Sequence, residues 1–326
     1  AMEEYPVNLR EFEKPFATEE ACIGYLVKLR WPDGFRCPRC GHAKAWLTQR
    51  QLYPGAACGP DTSVTAGTIF QDTRKPLQLW FRATWHVVTQ KNGVSAKGLQ
   101  RVLGFKRYET IWIWLHKLRT AMVRPGRDRL SGVIEVDETY LGGERPGKRG
   151  RGAAGKSLVR MAVEDKGNQI GRMRLRRIPD ASAESLVGGV KESVEPGSVV
   201  RTDGWSGYGP LSAEGDEHVV VRKSAEVGEN LLPLVNRGAS RLKRWLLGTH
   251  PGGVRPSHLD YYLDEYTFRF NRRTSRPRGK LFFLLVQQAA SVVPLTKSDL
   301  RRGRNISQLS SVRQGFCIGL DSATHI

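Results

Sequence analysis

Long apolar runs are what this sequence most plainly lacks: no stretch approaches the ~20 consecutive apolar residues that a bilayer-spanning helix needs. Nor does the opening, Ala1-Met2-Glu3-Glu4-Tyr5, show the basic-then-apolar pattern of a secretory signal. No membrane partner is expected, and the expected location is the cytoplasm. Cysteine is scarce too, with 5 unevenly spaced in 326 residues, a poor disulfide framework for a chain this size. The compact pair Cys37-Pro38-Arg39-Cys40 therefore points to metal binding. Acidic residues are the third shortage: 32 Asp and Glu stand against 52 Lys and Arg, a formal net charge of +20. That imbalance favours a polyanionic partner such as nucleic acid over an acidic protein.

At 326 residues, and with roughly 150 residues per domain as a guide, the chain should hold two or three domains. Residues 1–70 begin with an amphipathic helix, Glu19 to Leu29, and pass through Trp31-Pro32-Asp33-Gly34 into Cys37-Pro38-Arg39-Cys40-Gly41-His42. Cys, turn residues, Cys and Gly in that order make a zinc-knuckle pattern. A full ribbon needs a second ligand pair, and the expected place supplies only Gly55-Ala56-Ala57-Cys58. Cys37, Cys40 and Cys58 are the candidate Zn²⁺ ligands. His42 could complete a tetrahedron, although it lies very close to Cys40; the alternative is a ribbon-shaped fold that no longer binds metal.

Residues 71–125 carry helical periodicity over Leu77 to Val88, Ser95 to Leu103 and Tyr108 to Met122, with a break at Asn92-Gly93. On the last helix Ile111, Trp114, Leu115, Leu118 and Met122 share a face and leave Lys117 and Arg119 on others. Two helices, a turn and a third helix suit a helix-turn-helix-like DNA-binding domain; a plain three-helix bundle shows the same pattern. The Trp112 and Trp114 indoles are expected in the core.

Val123-Arg124-Pro125-Gly126-Arg127-Asp128-Arg129 has the composition of a linker, so residues 126–294 form the next domain. It reads as strand (Val133 to Tyr140), basic Gly-rich loop (Gly142 to Gly155), strand (Ser157 to Val163), turn, strand (Gln169 to Ile178), helix (Ala183 to Val194) and strand (Val199 into Asp203). Three strands in hairpin succession followed by helix and strand predict an α/β, ribonuclease-H-like mixed sheet. In that arrangement the first and fourth strands are neighbours, which brings Asp137 and Asp203 together. Paired aspartates at strand ends suit two Mg²⁺ (or Mn²⁺) ions that assist in-line attack on a phosphodiester. A strand-end Asp by itself is as readily a turn residue; strand context, order and surrounding charge favour the pair. Asn236, Ser240 and Lys243 fall at i, i+4 and i+7 on one helical face. An Asn carbonyl can ligate Mg²⁺ without adding charge, and Lys243 could hold a DNA phosphate. Glu265, on a later helix, is the reserve third carboxylate. Further basic candidates for DNA contact are Lys148, Arg149 and Arg151 in the Gly-rich loop, Arg244, and the cluster with Arg272 and Arg273. Arg172, Arg174 and Arg176 line one strand face, either as a DNA track or as protection of a sheet edge.

From Leu9 to about Gln288 the sequence resembles bacterial insertion-sequence transposases of the ISXO type, which pair a zinc ribbon with a DDE-type catalytic domain. The resemblance rests on Arg30 to Gly41, Thr62-Ser63-Val64-Thr65-Ala66-Gly67-Thr68, Val136-Asp137-Glu138-Thr139-Tyr140, Asp203-Gly204-Trp205-Ser206-Gly207-Tyr208, Leu242 to His250 and Phe268 to Arg273. It implies metal-dependent transposition, with double-stranded DNA at element ends and at the target as partner. It also implies Asp137 and Asp203 as acidic positions, Asn236 at the variable third position and Lys243 as the basic partner. Because two ends must be brought together, a homo-oligomer on DNA is expected. Two departures stand out: Gly55 replaces the first cysteine of the family's second pair, and the tail, residues 295–326, matches no known pattern and is expected to be disordered. The competing expectations are a metal-dependent nuclease of the same fold, a decayed copy that only binds DNA, and a DNA-binding regulator.

Overall fold

The computed structural model describes residues 5–49, 51–55, 57–124, 126–142, 156–167, 169–213, 217–221, 231–250 and 253–303. Helices α1 (Leu9–Glu13) and α2 (Glu19–Arg30) each start at a side-chain cap, where Asn8 accepts the Glu11 N–H and Thr18 that of Ala21. A hairpin of β1 (Leu52–Gly55) and β2 (Gly59–Ser63) follows, and then α3 (Leu77–Thr89), α4 (Ala96–Leu103) and α5 (Tyr108–Ala121). No capping residue precedes α3; Glu19 of α2 instead accepts the N–H groups of Leu77 and Gln78 at 2.7 and 2.9 Å. Ser95 caps α4, and Gly104 closes it in the left-handed region, which a residue with a side chain rarely adopts.

Strands β3 (Val133–Leu141), β4 (Ser157–Asp165) and β5 (Ile170–Ile178) come next, then α6 (Ala183–Ser193), β6 (Val199–Thr202) and β7 (Glu217–Val220). Four helices complete the described chain: α7 (Pro233–Thr249), α8 (Leu259–Asn271), α9 (Arg278–Ser291) and α10 (Lys297–Arg302). The strands and helices read from periodicity match in place and type to within a few residues. Strand β7 was not expected. Within the segment read as tail, α10 is helical, and residues 304–326 lie outside the described residues.

The chain divides into two compact units. One comprises Ala1–Val123, Trp245–Pro251 and Asp264–Leu300. Its core is aromatic: Phe12, Phe16, Phe81 and Phe282 interlock, and Trp80 stacks on Trp114 with ring centroids 3.8 Å apart. Trp114 is thus a core residue, as its spacing predicts. Arg119, off the face shared by Ile111, Trp114 and Leu118, is itself buried: its Nε meets Glu265 Oε2 at 2.7 Å, while Arg269 Nε meets Glu265 Oε1 at 2.8 Å. A carboxylate shared between two guanidinium groups can stay charged inside the protein.

The second unit takes Arg124–Arg244, Gly252–Leu263 and the described residues after Leu300. It is built on a five-stranded sheet of order β5-β4-β3-β6-β7. The hairpin partners β3–β4 and β4–β5 are antiparallel, while β3–β6 and β6–β7 are parallel. This mixed α/β order is the ribonuclease-H-like arrangement. On one sheet face Ile134, Val136 and Val200 pack against Leu186, Val187 and Val190 of α6. The alternation of side chains along β3 then assigns Glu135, Asp137 and Thr139 to the other face. Among the described residues no helix is long and apolar enough to cross a membrane.

Candidate active site

Asp137 is the middle residue of β3, directly opposite Met161 of β4. The register of the parallel pair β3–β6 joins Glu135 to Arg201, so two residues further along each strand stand Asp137 and Asp203. Chain order alone predicts that these two carboxylates should approach, and the register puts them at the same level of adjacent strands, Asp137 in the middle of β3 and Asp203 just past the end of β6. Asp137 Oδ1 accepts the Glu138 N–H at 2.7 Å, and Asp203 Oδ1 accepts the Trp205 N–H at 3.0 Å.

Beside Asp137 is a cavity of about 270 Å³ whose polar lining includes Asp137, Glu138, Asn236, Ser240 and Lys243, with Met161 and Val235 among the apolar residues. Asn236, Ser240 and Lys243 come from one face of α7, at the spacing read from the sequence. Asp203 is exposed at the tip of β6 and is not among the lining residues. Two contacts set α7 against the sheet. Glu135 Oε2 accepts the N–H groups of Leu234 and Val235, both at 2.8 Å, and so satisfies backbone donors in the first turn of the helix. One turn later Gly238 faces β4 so closely that an added Cβ would come within 2.9 Å of Met161 Sδ. Burial raises the Glu135 carboxyl above its ordinary value, and the two amides work against that rise.

On the opposite sheet face a second polar group backs the site. The Tyr208 hydroxyl donates to Glu138 Oε1, tying the segment after Asp203 to the residue after Asp137. Burial, together with Glu138, pushes the Tyr208 hydroxyl well above its ordinary value, so it remains a donor. Arg160, fully buried beside them, donates to Ser193 Oγ at 3.2 Å, and Gly189 leaves room for it. Neither Glu135 nor Tyr208 was singled out from the sequence. The available signal for Glu135 was an acidic residue two positions before Asp137, hence on the same strand face, inside an otherwise apolar run.

The other candidates fall elsewhere. Glu265 belongs to the other unit and is paired within it with Arg119 and Arg269; burial would raise its carboxyl but these two guanidinium groups hold it down, at about 2. Arg172 meets Glu164 at 2.6 Å, Arg174 donates to the carbonyls of Met173 and Asp128, and Arg176 meets Glu192 at 2.8 Å. The guanidinium row on β5 thus has partners within the protein and resembles edge protection rather than a DNA track. Arg272 and Arg273 also lie in the other unit, over the rings of Phe268 and Phe270 at 4.4 and 4.2 Å. Arg244 is exposed on α7 next to Lys243. Lys148, Arg149 and Arg151 lie outside the described residues.

In the N-terminal unit the sulfur atoms of Cys37, Cys40 and Cys58 lie within 4.8 Å of one another, with Cys37 and Cys58 at 3.7 Å. Backbone N–H groups of Arg39 and Cys40 lower the Cys37 thiol to about 7. Three sulfurs at these separations fit the tetrahedral thiolate environment of Zn²⁺, where each Zn–S bond is about 2.3 Å. Among the described residues His42 is not part of this group.

A ribonuclease-H-like sheet with aspartates at one level of neighbouring strands beside a basic helix, joined in one chain to a three-cysteine ribbon, defines a class of DNA-processing protein. Comparison with known families agrees: residues 129–271 match the ISXO2-like transposase domain, and residues 17–60 match the transposase zinc-ribbon domain. The two matches together span more than half of the chain, and the chain belongs to the ISXO2-like transposase family. No curated protein matches it.

Proposed function

We propose that this protein cleaves and rejoins DNA at insertion-sequence ends by metal-dependent phosphoryl transfer. The observation that carries the reading is the convergence of Asp137 from β3 with Asn236, Ser240 and Lys243 from α7 on one cavity, with Asp203 just past β6 at the level of Asp137 by strand register. Two carboxylates and an amide carbonyl are all oxygen donors, which suits Mg²⁺ or Mn²⁺. Asp137, Asp203 and Asn236 would hold the ions, which when bound activate the attacking oxygen and stabilise the leaving one. Lys243 would pair with a non-bridging phosphate oxygen and fix the scissile group beside the carboxylates. In the first step water attacks phosphorus, the P–O3′ bond breaks, and the strand ends in a 3′-OH. In the second that hydroxyl attacks a target phosphodiester and displaces the target's own 3′ oxygen.

Charge supports a DNA substrate. Helix α7 carries exposed Arg237, Arg241, Lys243 and Arg244 and no acidic residue over Pro233–Thr249. Around α4 and the turn into α5, Lys97, Arg101, Lys106 and Arg107 are exposed, and we assign residues 71–125 to reading element ends. Arg272 and Arg273 are assigned to backbone contacts, and a homo-oligomer to pairing of two ends.

The test is incubation of oligonucleotides carrying the flanking element ends with the full chain and Mg²⁺ or Mn²⁺. Nicked and joined products are expected. Cutting without joining would replace this reading with a nuclease of the same fold, and binding without cutting would replace it with a decayed copy.

A further inference from the structure

The ribbon has three sulfur ligands where a closed structural zinc site has four. At the fourth place by spacing, two residues before Ala57-Cys58, stands Gly55. The hairpin has closed over that position: a Cβ built on Gly55 would lie 2.3 Å from the Pro60 carbonyl oxygen and 2.7 Å from the Gly59 carbonyl carbon. These are backbone atoms that cannot swing aside. The strand pairing here is irregular, with a register shift between Tyr53 and Gly55. The missing ligand is therefore not a simple vacancy that a side chain at residue 55 would fill; the local backbone occupies its space. No other carboxylate or imidazole among the described residues joins the cluster, His42 included. Cys37 is buried, Cys58 half-buried and Cys40 exposed, so one side of the sulfur triangle faces solvent.

We infer that Cys37, Cys40 and Cys58 form a three-thiolate Zn²⁺ site with an open fourth position, filled by water and replaceable by a small soft or nitrogen donor such as a thiol or imidazole. Such coordination has the form of an exchangeable site rather than a sealed structural one. Losing one thiolate also removes part of the binding energy that ties metal to fold, so zinc leaves this ribbon faster than it leaves a four-cysteine site. This inference concerns the ribbon alone and stands or falls separately from DNA cleavage.

The experiment uses the full chain, stripped of metal and loaded with Co²⁺, whose visible ligand-field and thiolate charge-transfer bands report ligand number and type. One equivalent is expected to bind with charge-transfer intensity corresponding to three thiolates. Added imidazole or 2-mercaptoethanol should shift the ligand-field bands in a saturable way, and Cys40→Ser should lose about a third of the charge-transfer intensity, one bond in three. His42→Ala and Cys317→Ser should leave the spectrum unchanged. A four-thiolate spectrum, indifference to added ligands, or a spectrum altered by either of those last two substitutions would overturn the open position. Failure of the wild-type chain to bind Co²⁺ would overturn the site itself. Because the readout is spectroscopic, an inactive protein with the expected spectrum would count against the transposition reading and leave this one standing.

Discussion

Glu135 caps the helix that carries half of the candidate site: its Oε2 accepts the Val235 N–H at 2.8 Å, one residue before Asn236. Two positions after Glu135 on the same strand comes Asp137. One strand therefore supplies both a carboxylate for the cavity and the anchor of the helix across from it. Glu135→Ala should leave two helix amides unpaired, cost about 1–3 kcal/mol of stability, and lower strand cleavage at least tenfold. Glu135→Gln keeps an acceptor oxygen and should recover most of both. Denaturant melts and cleavage rates on the three proteins check this; equal losses for Ala and Gln would show that the hydrogen bonds are not what matters.

Asn236 brings a carbonyl but no charge to the cavity. Replacing it with Asp adds a negative ligand among the oxygen donors, so Asn236→Asp is expected to lower the Mg²⁺ concentration for half-maximal cleavage several-fold. A Mg²⁺ titration of cleavage rate reads this directly, and an unchanged or raised midpoint would remove Asn236 from the metal site.

The buried Arg119–Glu265–Arg269 cluster should make stability depend on acid. Burial raises the Glu265 carboxyl, but Arg119 and then Arg269 outweigh it and hold the folded value at about 2 against an ordinary 4.5. A carboxyl depressed on folding stabilises the protein above its unfolded value, and that stability is lost as pH falls from about 4.5 toward 2. Glu265→Gln should cost roughly 3–5 kcal/mol near pH 7, because it leaves buried guanidinium groups uncompensated. The gap to wild type should narrow below pH 4.5, as chemical denaturation across pH would record.

DNA affinity should fall steeply with salt. If Arg237, Arg241 and Arg244 each neutralise one phosphate, changing all three to Gln should reduce the slope of log affinity against log salt by about 2.7. Fluorescence anisotropy with a labelled element end at several salt concentrations measures it. An unchanged slope would place the DNA elsewhere on the protein.

Much of the fold was legible because the unit built on the five-stranded sheet consists of strong local signals. Strands β3 to β5 lie between clear turn signals, with apolar runs in β3 and β4 and apolar–basic alternation over Met173–Arg176 of β5, and α6 begins at Ser182, a good cap. Strand β7 escaped notice because Glu217–Val220 is only 4 residues long, with none of them fully buried. Asp137, Asn236 and Lys243 could be named from strand context and helical spacing, and they line one cavity. The supporting contacts could not be named, because they are long-range. Glu135 and Val235 are 100 residues apart, and Arg119 and Glu265 are 146 apart. Periodicity says which face a residue takes and nothing about which distant partner waits there. Arg119 shows the consequence: spacing sets it off the apolar face of its helix, and only the structure reveals the buried carboxylate on another helix that it meets.

The most direct measurement compares wild type with Asp203→Ala for metal-dependent cleavage and joining on DNA bearing the element ends, alongside binding of the same DNA. Wild type should yield nicked and joined products only with Mg²⁺ or Mn²⁺, and Asp203→Ala should lose both by a factor of at least 10³, on the scale of removing one essential catalytic group, while still binding DNA. Cleavage that survives in Asp203→Ala would contradict the assignment of this strand pair as the catalytic centre.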